Sequence, residues 1–270
     1  HSEVVYATAD QPLGPYTLQG TILGRRDTPA WDRDVAHNPT IMPWQGRYYL
    51  YYTGNYGNGE FWDHRNHQRI GVAVADDPAG PWQRSDAPLL EPNPDGWDAL
   101  ITTNPSCTPT PDGRFLLMYK SAGRRAPLPM GGPVLHGVAF SDSPTGPFRK
   151  HPEPLFAAGE ANFPAEDPFV WMQDGKLYAI LKDQGHFYSP EERALVLFES
   201  DNGIDWRPNQ PAVVCTRQVV HADGTAVTYH RLERPQLLLE GGVPSMLCAA
   251  VKPTRESDDS YSIFIPLQDH

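Results

Sequence analysis

Residues 165–173 read Ala-Glu-Asp-Pro-Phe-Val-Trp-Met-Gln, and residues 176–183 read Lys-Leu-Tyr-Ala-Ile-Leu-Lys-Asp. Asp174 and Gly175 separate these two apolar runs, and a glycine at this point supplies the positive φ that a tight hairpin turn needs. The stretch therefore predicts two short antiparallel strands. Acidic residues stand at the start of the first strand, and a lysine stands near the end of the second.

The same pattern, a polar residue followed by proline and then by a hairpin, occurs three more times. It begins at residues 37–41 (His-Asn-Pro-Thr-Ile), 103–106 (Thr-Asn-Pro-Ser) and 233–236 (Glu-Arg-Pro-Gln). A longer block, residues 71–90, recurs at residues 137–156 with an offset of 66. Repeats of this size are typical of propellers and solenoids.

Each repeat contains four predicted strands, and four-stranded units in series are the blades of a β-propeller. They are the polar-Pro strand, its hairpin partner, an alternating strand such as residues 70–75, and a Gly-Pro-aromatic strand such as residues 80–82. Four polar-Pro hairpins are visible, but there are five alternating strands, counting residues 4–9 and 261–267. We therefore predict an all-β, five-bladed propeller of four-stranded blades in a single domain, residues 1–270. One blade would be incomplete or closed irregularly by the termini; a trimmed chain and a four-bladed ring remain open alternatives.

The composition excludes several classes of protein. A formal net charge of −11 argues against nucleic acid and anionic membranes as partners. There is no apolar run long enough to span a membrane, no glycine-rich cofactor motif, and no metal-ligand spacing among the three cysteines. We therefore expect no cofactor and no metal site, although a structural cation in the channel stays open. The chain starts at His1 without methionine, as a processed chain would, and we expect it to be secreted or periplasmic.

Two motifs resemble those of a known superfamily. Residues 37–41, His-Asn-Pro-Thr-Ile, are similar to its His-Asp-Pro-Ser-Ile, and residues 166–168, Glu-Asp-Pro, are similar to its Glu-Gly-Pro. The chain thus resembles the five-bladed propeller glycoside hydrolases, which include the family 43 arabinanases and xylosidases and the invertase-like fructosidases. The resemblance implies a hydrolase in which an aspartate is the base or nucleophile and Glu166 is the general acid. Asn38 and Asn104 depart from it, because they stand where aspartates are expected and an amide cannot take a proton from water.

The first residues of the innermost strands should ring the mouth of the central channel, joined there by the ends of the second strands. The predicted catalytic residues are Glu166, Asp167 and Glu233. The predicted substrate-binding residues are Asn38, Arg69, Asn104, Lys120, His136, Lys182 and Arg234. An Asn-Pro pair is often only a turn, and exposed lysines are common. The prediction of a binding role therefore depends on the recurrence of Asn38 and Asn104, and of Lys120 and Lys182, at equivalent positions of the repeat.

Two expectations concern charge at this mouth. Adjacent carboxylates at the start of a strand are costly unless they are used or paired. We therefore expect Glu166 and Asp167 to repel each other and so to share one proton near neutral pH. Four cations, Arg69, Lys120, Lys182 and Arg234, are predicted to form a basic floor for an anionic sugar.

These features predict an exo-acting glycoside hydrolase that cleaves a plant or algal oligosaccharide or polysaccharide, with a uronate among the candidate sugars. Two alternatives remain open at this point. One is a uronate-specific polysaccharide lyase, which the replacement of aspartate by Asn38 and Asn104 favours. The other is a sugar-binding propeller without catalytic activity.

Overall fold

The computed structural model describes residues 2–27, 29–125 and 127–267, so both ends of the predicted domain 1–270 lie outside the described residues. Within these ranges the chain forms nineteen strands and a single short helix, α1 (Phe61–Asn66). The prediction of an all-β fold is confirmed. No helix in the described ranges is long and apolar enough to cross a membrane.

Four sheets are the blades of the propeller, and all their strands pair antiparallel in chain order from the channel outwards. A two-stranded sheet precedes them, formed by β1 (Val4–Thr8) and β2 (Thr17–Leu23). The first blade contains β3 (Val35–Trp44), β4 (Arg47–Asn55), β5 (Arg69–Ala75) and β6 (Gln83–Arg84). The second blade contains β7 (Ile101–Pro109), β8 (Phe115–Ala122), β9 (Val134–Ser141) and β10 (Arg149–Lys150). The third blade contains β11 (Ala165–Gln173), β12 (Lys176–Asp183), β13 (Leu195–Ser200) and β14 (Arg207–Cys215). A hairpin of β15 (Gln218–Val220) and β16 (Ala226–Thr228) then leads to the fourth blade, β17 (Arg231–Glu240), β18 (Val243–Lys252) and β19 (Tyr261–Pro266).

The propeller prediction is confirmed, but the predicted count of five blades is not. The described residues form four blades, three with four strands and one with three. The reason lies in the residues before β3, which provide an alternating strand, β1, and its outer partner, β2. Among the described residues of this stretch there is no polar-Pro hairpin, and β1 pairs with β2 alone.

The hairpin turns follow the sequence prediction. Asp174 and Gly175 both have positive φ, 51° and 74°. A two-residue turn with this geometry matches the right-handed twist of the strands that it joins. Gln45 and Gly46 repeat the arrangement in the first blade, with φ of 48° and 77°. The second strand of each blade therefore returns to the face of the propeller where the first strand began.

Apolar side chains between neighbouring blades form the core. Tyr51 of the first blade packs with Leu117 and Tyr119 of the second, and all three side chains are buried. Similar clusters join the second blade to the third and the third to the fourth. Removing this apolar area from water stabilises the ring by roughly 25 cal/mol per Å². The packing fixes the innermost strands β3, β7, β11 and β17 around one channel.

Candidate functional site

Four residues at equivalent positions of the innermost strands surround the channel, and we call them the channel ring. They are Asn38, Asn104, Asp167 and Arg234, each followed by proline, with φ of 50°, 50°, 55° and 55°. Proline has no N–H to donate to the ladder, so the pairing of each strand shifts register here, as in a β-bulge. Positive φ is uncommon outside glycine, and asparagine and aspartate tolerate it best. The bulge directs these side chains towards the channel.

Hydrogen bonds connect the channel ring from blade to blade. Asn38 Nδ2 donates to Asn104 Oδ1 at 2.6 Å, and Asn104 Nδ2 donates to Asp167 Oδ1 at 2.7 Å. The backbone N–H of Arg234 donates to Asp167 Oδ2 at 3.3 Å, and the Arg234 guanidinium lies 3.4 Å from Oδ1. The hydroxyl of Thr103 also donates to Asn104 Oδ1. The side chain of Asn104 is therefore bonded within the protein, and its substrate-binding role stays a prediction.

Asp167 lies in the channel and is almost completely buried. Burial raises the pKa of its carboxyl, and the positive charge of Arg234 opposes this effect. The cavity that it lines has a volume of about 230 Å³ and is shared with Asn38, Asn104 and Arg234. Asp167 thus belongs to the channel ring, at the position that its repeat equivalents predict.

Glu166 lies one residue before Asp167 and lines a different cavity. It pairs in the ladder with Lys182, whereas Asp167 lies in the bulge, so the two neighbours need not point to opposite faces. Glu166 Oε1 bonds Lys120 Nζ at 2.7 Å, and Glu166 Oε2 lies 3.0 Å from Lys182 Nζ. Lys182 Nζ also bonds Glu233 Oε2 at 2.9 Å. We call Lys120, Glu166, Lys182 and Glu233 the mouth cluster.

The charges of the mouth cluster determine its protonation. Burial by itself would raise the pKa of Glu166, but the ammonium groups of Lys120 and Lys182 outweigh it and hold the pKa below its usual range. Burial would lower the pKa of Lys182, and the surrounding carboxylates raise it instead. Glu166 is therefore ionised near neutral pH. The two lysines keep the proton off Glu166, and the expected repulsion acts at Asp167, where burial and then the charge of Glu166 raise the pKa of the carboxyl.

The mouth cavity has a volume of about 190 Å³ and lies between the third and fourth blades. Its lining residues are Glu166, Lys182, Gln184, Arg193, Arg231, Leu232 and Glu233. The side chains of Glu166 and Glu233 are 18% and 22% exposed, so both can be reached from this cavity. Two glutamates from adjacent blades thus share one concave site that also contains cations.

Two histidines lie near the mouth cluster and are neutral. Burial, followed by the charges of Arg234 and Lys120, lowers the pKa of His37 to about 4. Burial and then Lys120 lower the pKa of His136 to about 3. Both ring nitrogens of His136 are buried without a hydrogen-bond partner among the described residues. The sequence prediction included His136 but missed His37, which precedes its channel-ring residue just as Glu166 and Glu233 do.

The predicted basic floor is not formed. Arg69 bonds Glu91 at 3.0 Å and donates to backbone carbonyls, that of Leu100 among them, outside the mouth cluster. Lys120 and Lys182 are paired with glutamates, and Arg234 lies beside Asp167. Arg69 is the first residue of β5, the third strand of its blade, but its long side chain reaches Glu91 in the loop after β6. Strand position alone does not reveal such a partner.

Four lining residues were outside the predicted catalytic and substrate-binding sets: Gln184, Arg193, Arg231 and Leu232. Gln184 donates to Glu166 Oε2. Arg193 stands just before β13, at the start of the third strand of its blade, and this position was the only signal in the sequence. Arg231 begins β17 two residues before Glu233, and nothing in the repeat distinguishes it.

Two loops border the same face of the propeller, residues 54–67 and 121–133. They touch where Asn66 Nδ2 donates to the carbonyl of Pro129 at 3.0 Å. Phe61 and Trp62 of α1 are exposed on the first loop, whereas Trp171 is buried in the core. Among the described residues, no group of three or more His, Cys, Asp or Glu side chains could hold a metal ion.

Comparisons with known proteins agree with this architecture. Residues 4–105, well under half of the chain, match the model of glycosyl hydrolases family 43. No curated protein matches the sequence.

Solved structures are similar over nearly the whole chain, at identities that show the fold alone. A family 117 glycoside hydrolase from the marine bacterium Zobellia galactanivorans is 20% identical, with a TM-score of 0.67 over 97% of this chain and 68% of that one. A protein solved as an RGII complex is 14% identical, with a TM-score of 0.72 over 99% and 78%. An endo-arabinase from Bacteroides thetaiotaomicron is 15% identical, with a TM-score of 0.60 over 94% and 82%.

The predicted resemblance to the propeller glycoside hydrolases is confirmed by the family match together with these structures. The predicted class of enzyme, a glycoside hydrolase, agrees with the family match over residues 4–105.

Proposed function

We propose that this protein is an exo-acting glycoside hydrolase, with the mouth cavity as its active site and a plant or algal oligosaccharide as its substrate. The observation that carries the proposal is the pair of glutamates on one cavity. Their Oε2 atoms lie within about 6 Å of each other, because both bond the Lys182 ammonium, at 3.0 and 2.9 Å. Two carboxyl groups at roughly 5 to 10 Å on either side of a glycosidic bond are the usual machinery for its hydrolysis.

The two glutamates take different roles in the proposal. Hydrolysis needs a carboxylic acid that protonates the leaving oxygen and a carboxylate that activates water or attacks the anomeric carbon. Two lysines keep Glu166 ionised, so it suits the carboxylate step. Glu233 bonds only one of those lysines and is assigned the proton transfer. This reverses the role of Glu166 that the resemblance implies.

The size of the mouth cavity supports exo action. Its volume of about 190 Å³ is smaller than the roughly 300–1,000 Å³ of sites that enclose drug-sized ligands. It has room for a terminal sugar rather than for several consecutive rings. The charged lining also supports an anionic sugar, a uronate among the candidates, as part of the proposal.

The roles can be separated with two substrates, a natural oligosaccharide and an aryl glycoside whose leaving group needs no protonation. We expect Glu233→Gln to lose roughly 10²–10⁴ in rate on the oligosaccharide and little on the aryl glycoside. Glu166→Gln should lose rate on both. The opposite pattern would return the acid role to Glu166. If the wild-type protein binds plant and algal oligosaccharides but releases no reducing ends, the hydrolase proposal is wrong and the non-catalytic alternative holds.

The lyase alternative has no specific observation in its favour. It needs a lysine or histidine that can remove a proton from the bound sugar. The pKa of Lys182 is raised rather than lowered, and the neutral histidines His37 and His136 do not line the mouth cavity. Asn104 is already bonded to Asp167 in the channel ring, so its amide in place of an aspartate does not favour a lyase.

A further inference from the structure

We propose that Arg193 and Arg231 form a clamp for a carboxylate or sulfate group on the sugar that enters the mouth cavity. This inference rests on the proposed function in one respect, since it takes the mouth cavity as the sugar site. It adds the two residues that select the anionic group of that sugar. Both arginines line the cavity together with Glu166 and Glu233.

The two arginines have donors to spare. Arg193 Nε is buried without a hydrogen-bond partner among the described residues, and its distance to Glu192 Oε1 is 3.6 Å. Arg231 Nη1 lies 3.9 Å from Glu233 Oε1, which is too far for a hydrogen bond. A buried donor without an acceptor is costly, so an anion that enters the cavity would relieve the cost at Arg193.

Positive charge exceeds negative charge around this cavity, although the whole protein carries −11. The cations that line it are Lys182, Arg193 and Arg231, and the carboxylates that line it are Glu166 and Glu233. Three cations therefore face two carboxylates in the lining, and an added anion would balance the charge.

A neighbouring histidine, His230, lies in the field of the same arginines and of Lys252 and Arg255. Partial burial lowers the pKa of His230, and the guanidinium groups of Arg231 and Arg193 are the next causes. The two arginines therefore act on one point near the cavity.

The chemistry of arginine distinguishes this clamp from the lysines of the mouth cluster. A guanidinium presents several N–H donors in a planar fork that fits a carboxylate or sulfate with two parallel hydrogen bonds. The side chain of Arg193 is 39% exposed and that of Arg231 is 56% exposed, so both can turn towards a ligand. Lys120 and Lys182 are already committed to Glu166. The clamp thus recognises the anionic group, while the mouth cluster faces the bond to be cleaved.

The test is equilibrium binding to the wild-type protein of sulfur-linked disaccharides, which are not hydrolysed. One pair of probes is thio-linked digalacturonate and its methyl ester; the other is thio-linked galactobiose with and without a sulfate group. The first pair tests a carboxylate as the bound group and the second tests a sulfate. We expect at least one charged probe to bind about tenfold more tightly than its neutral counterpart, with an advantage that shrinks as salt is added. Arg193→Gln and Arg231→Gln should each lose most of that advantage.

Arg207→Gln is the matched control. Arg207 lies on the outer strand β14, is 55% exposed and pairs with Glu199 at 2.9 Å, so its loss should leave binding of all four probes unchanged. Equal binding of charged and neutral probes in both pairs overturns the clamp, as does an equal loss in Arg207→Gln. A protein that prefers the charged probe but hydrolyses no oligosaccharide retains the clamp and loses the proposed activity. If the protein instead hydrolyses neutral oligosaccharides and shows no preference for charged probes, the proposed activity is retained and the clamp is wrong.

Discussion

The amide of Asn104 donates a 2.7 Å hydrogen bond to the carboxylate of Asp167, which occupies the equivalent position on the next blade. This contact explains why the repeat has asparagine at one position and aspartate at the other. Two carboxylates at this distance inside the channel would repel each other, and one of them would have to be protonated. An amide supplies a donor instead and leaves the negative charge to be balanced by Arg234.

We therefore expect Asn104→Asp to destabilise the protein by roughly 3 kcal/mol at pH 7, because it places two buried carboxylates together and removes a donor. The added carboxyl would have a raised pKa in the folded state. The deficit should therefore appear as pH rises above about 3.9, the ordinary pKa of aspartate, and should disappear below it. Chemical denaturation at pH 3.5 and pH 7 measures the change, with Asn202→Asp in an exposed turn as the control. A deficit of equal size at both pH values would contradict this explanation.

The repeat was visible in the sequence because it depends on local chemistry. Asp174-Gly175 has the backbone preferences of a hairpin turn, and Pro168 marks the point where the ladder must break. The repeated polar-Pro motif also predicted that Asn38, Asn104 and Asp167, which are 66 and 63 residues apart, share one environment, and they are bonded in series.

The partners of long charged side chains were not visible in the same way. Lys182 bonds glutamates of its own blade and of the next one, 16 and 51 residues away, and no local pattern encodes this choice. Arg69 stands at the start of a third strand, where mouth residues were predicted, but pairs with Glu91 in a loop. The number of blades was equally hidden, because β1 resembles a third strand whether or not inner strands accompany it.

Glu166→Gln should affect both turnover and acid stability. It removes the carboxylate assigned to the chemical step, so we expect a loss of roughly 10²–10⁴ in rate. The pKa of Glu166 is depressed in the folded protein, so its contribution to stability is present above the unfolded value of about 4.3 and is lost as pH falls through the folded value. The difference in melting temperature between wild type and variant should therefore be larger at pH 6 than at pH 3.

Glu199→Gln is the matched control for this change. Glu199 has the same exposed fraction as Glu166, 18%, and also pairs with two cations, Lys176 and Arg207. It lies on β13, away from the mouth cavity, so turnover should be unchanged. If Glu199→Gln lowers turnover as much as Glu166→Gln does, the loss reflects weakened folding rather than chemistry.

Lys182→Met should shift the pH dependence of activity. Without the shared ammonium, Glu166 and Glu233 face each other with less compensating charge, so the pKa of Glu166 should rise. The acid limb of the rate profile should then move to higher pH, and stability should fall by about 3 kcal/mol because two partly buried carboxylates lose their partner. Lys176→Met, which removes the 3.4 Å pair with Glu199, should cost less than about 1 kcal/mol and leave the profile in place.

His136 provides a separate test of the electrostatics of the mouth. Its folded pKa of about 3 lies below the ordinary value of about 6.5, so the unfolded state binds a proton across this range and the folded state does not. Stability should therefore fall as pH drops from about 6.5 towards 3. Because neither ring nitrogen has a partner among the described residues, His136→Leu sacrifices no hydrogen bond and should be near neutral at pH 7. At pH 4 the free energy of unfolding of His136→Leu should exceed that of the wild type by about 2–3 kcal/mol. The control is His186→Leu, on an exposed loop, which should leave the slope of the unfolding free energy against pH unchanged. If the unfolding free energies of wild type and His136→Leu run parallel as pH changes, His136 is not held neutral.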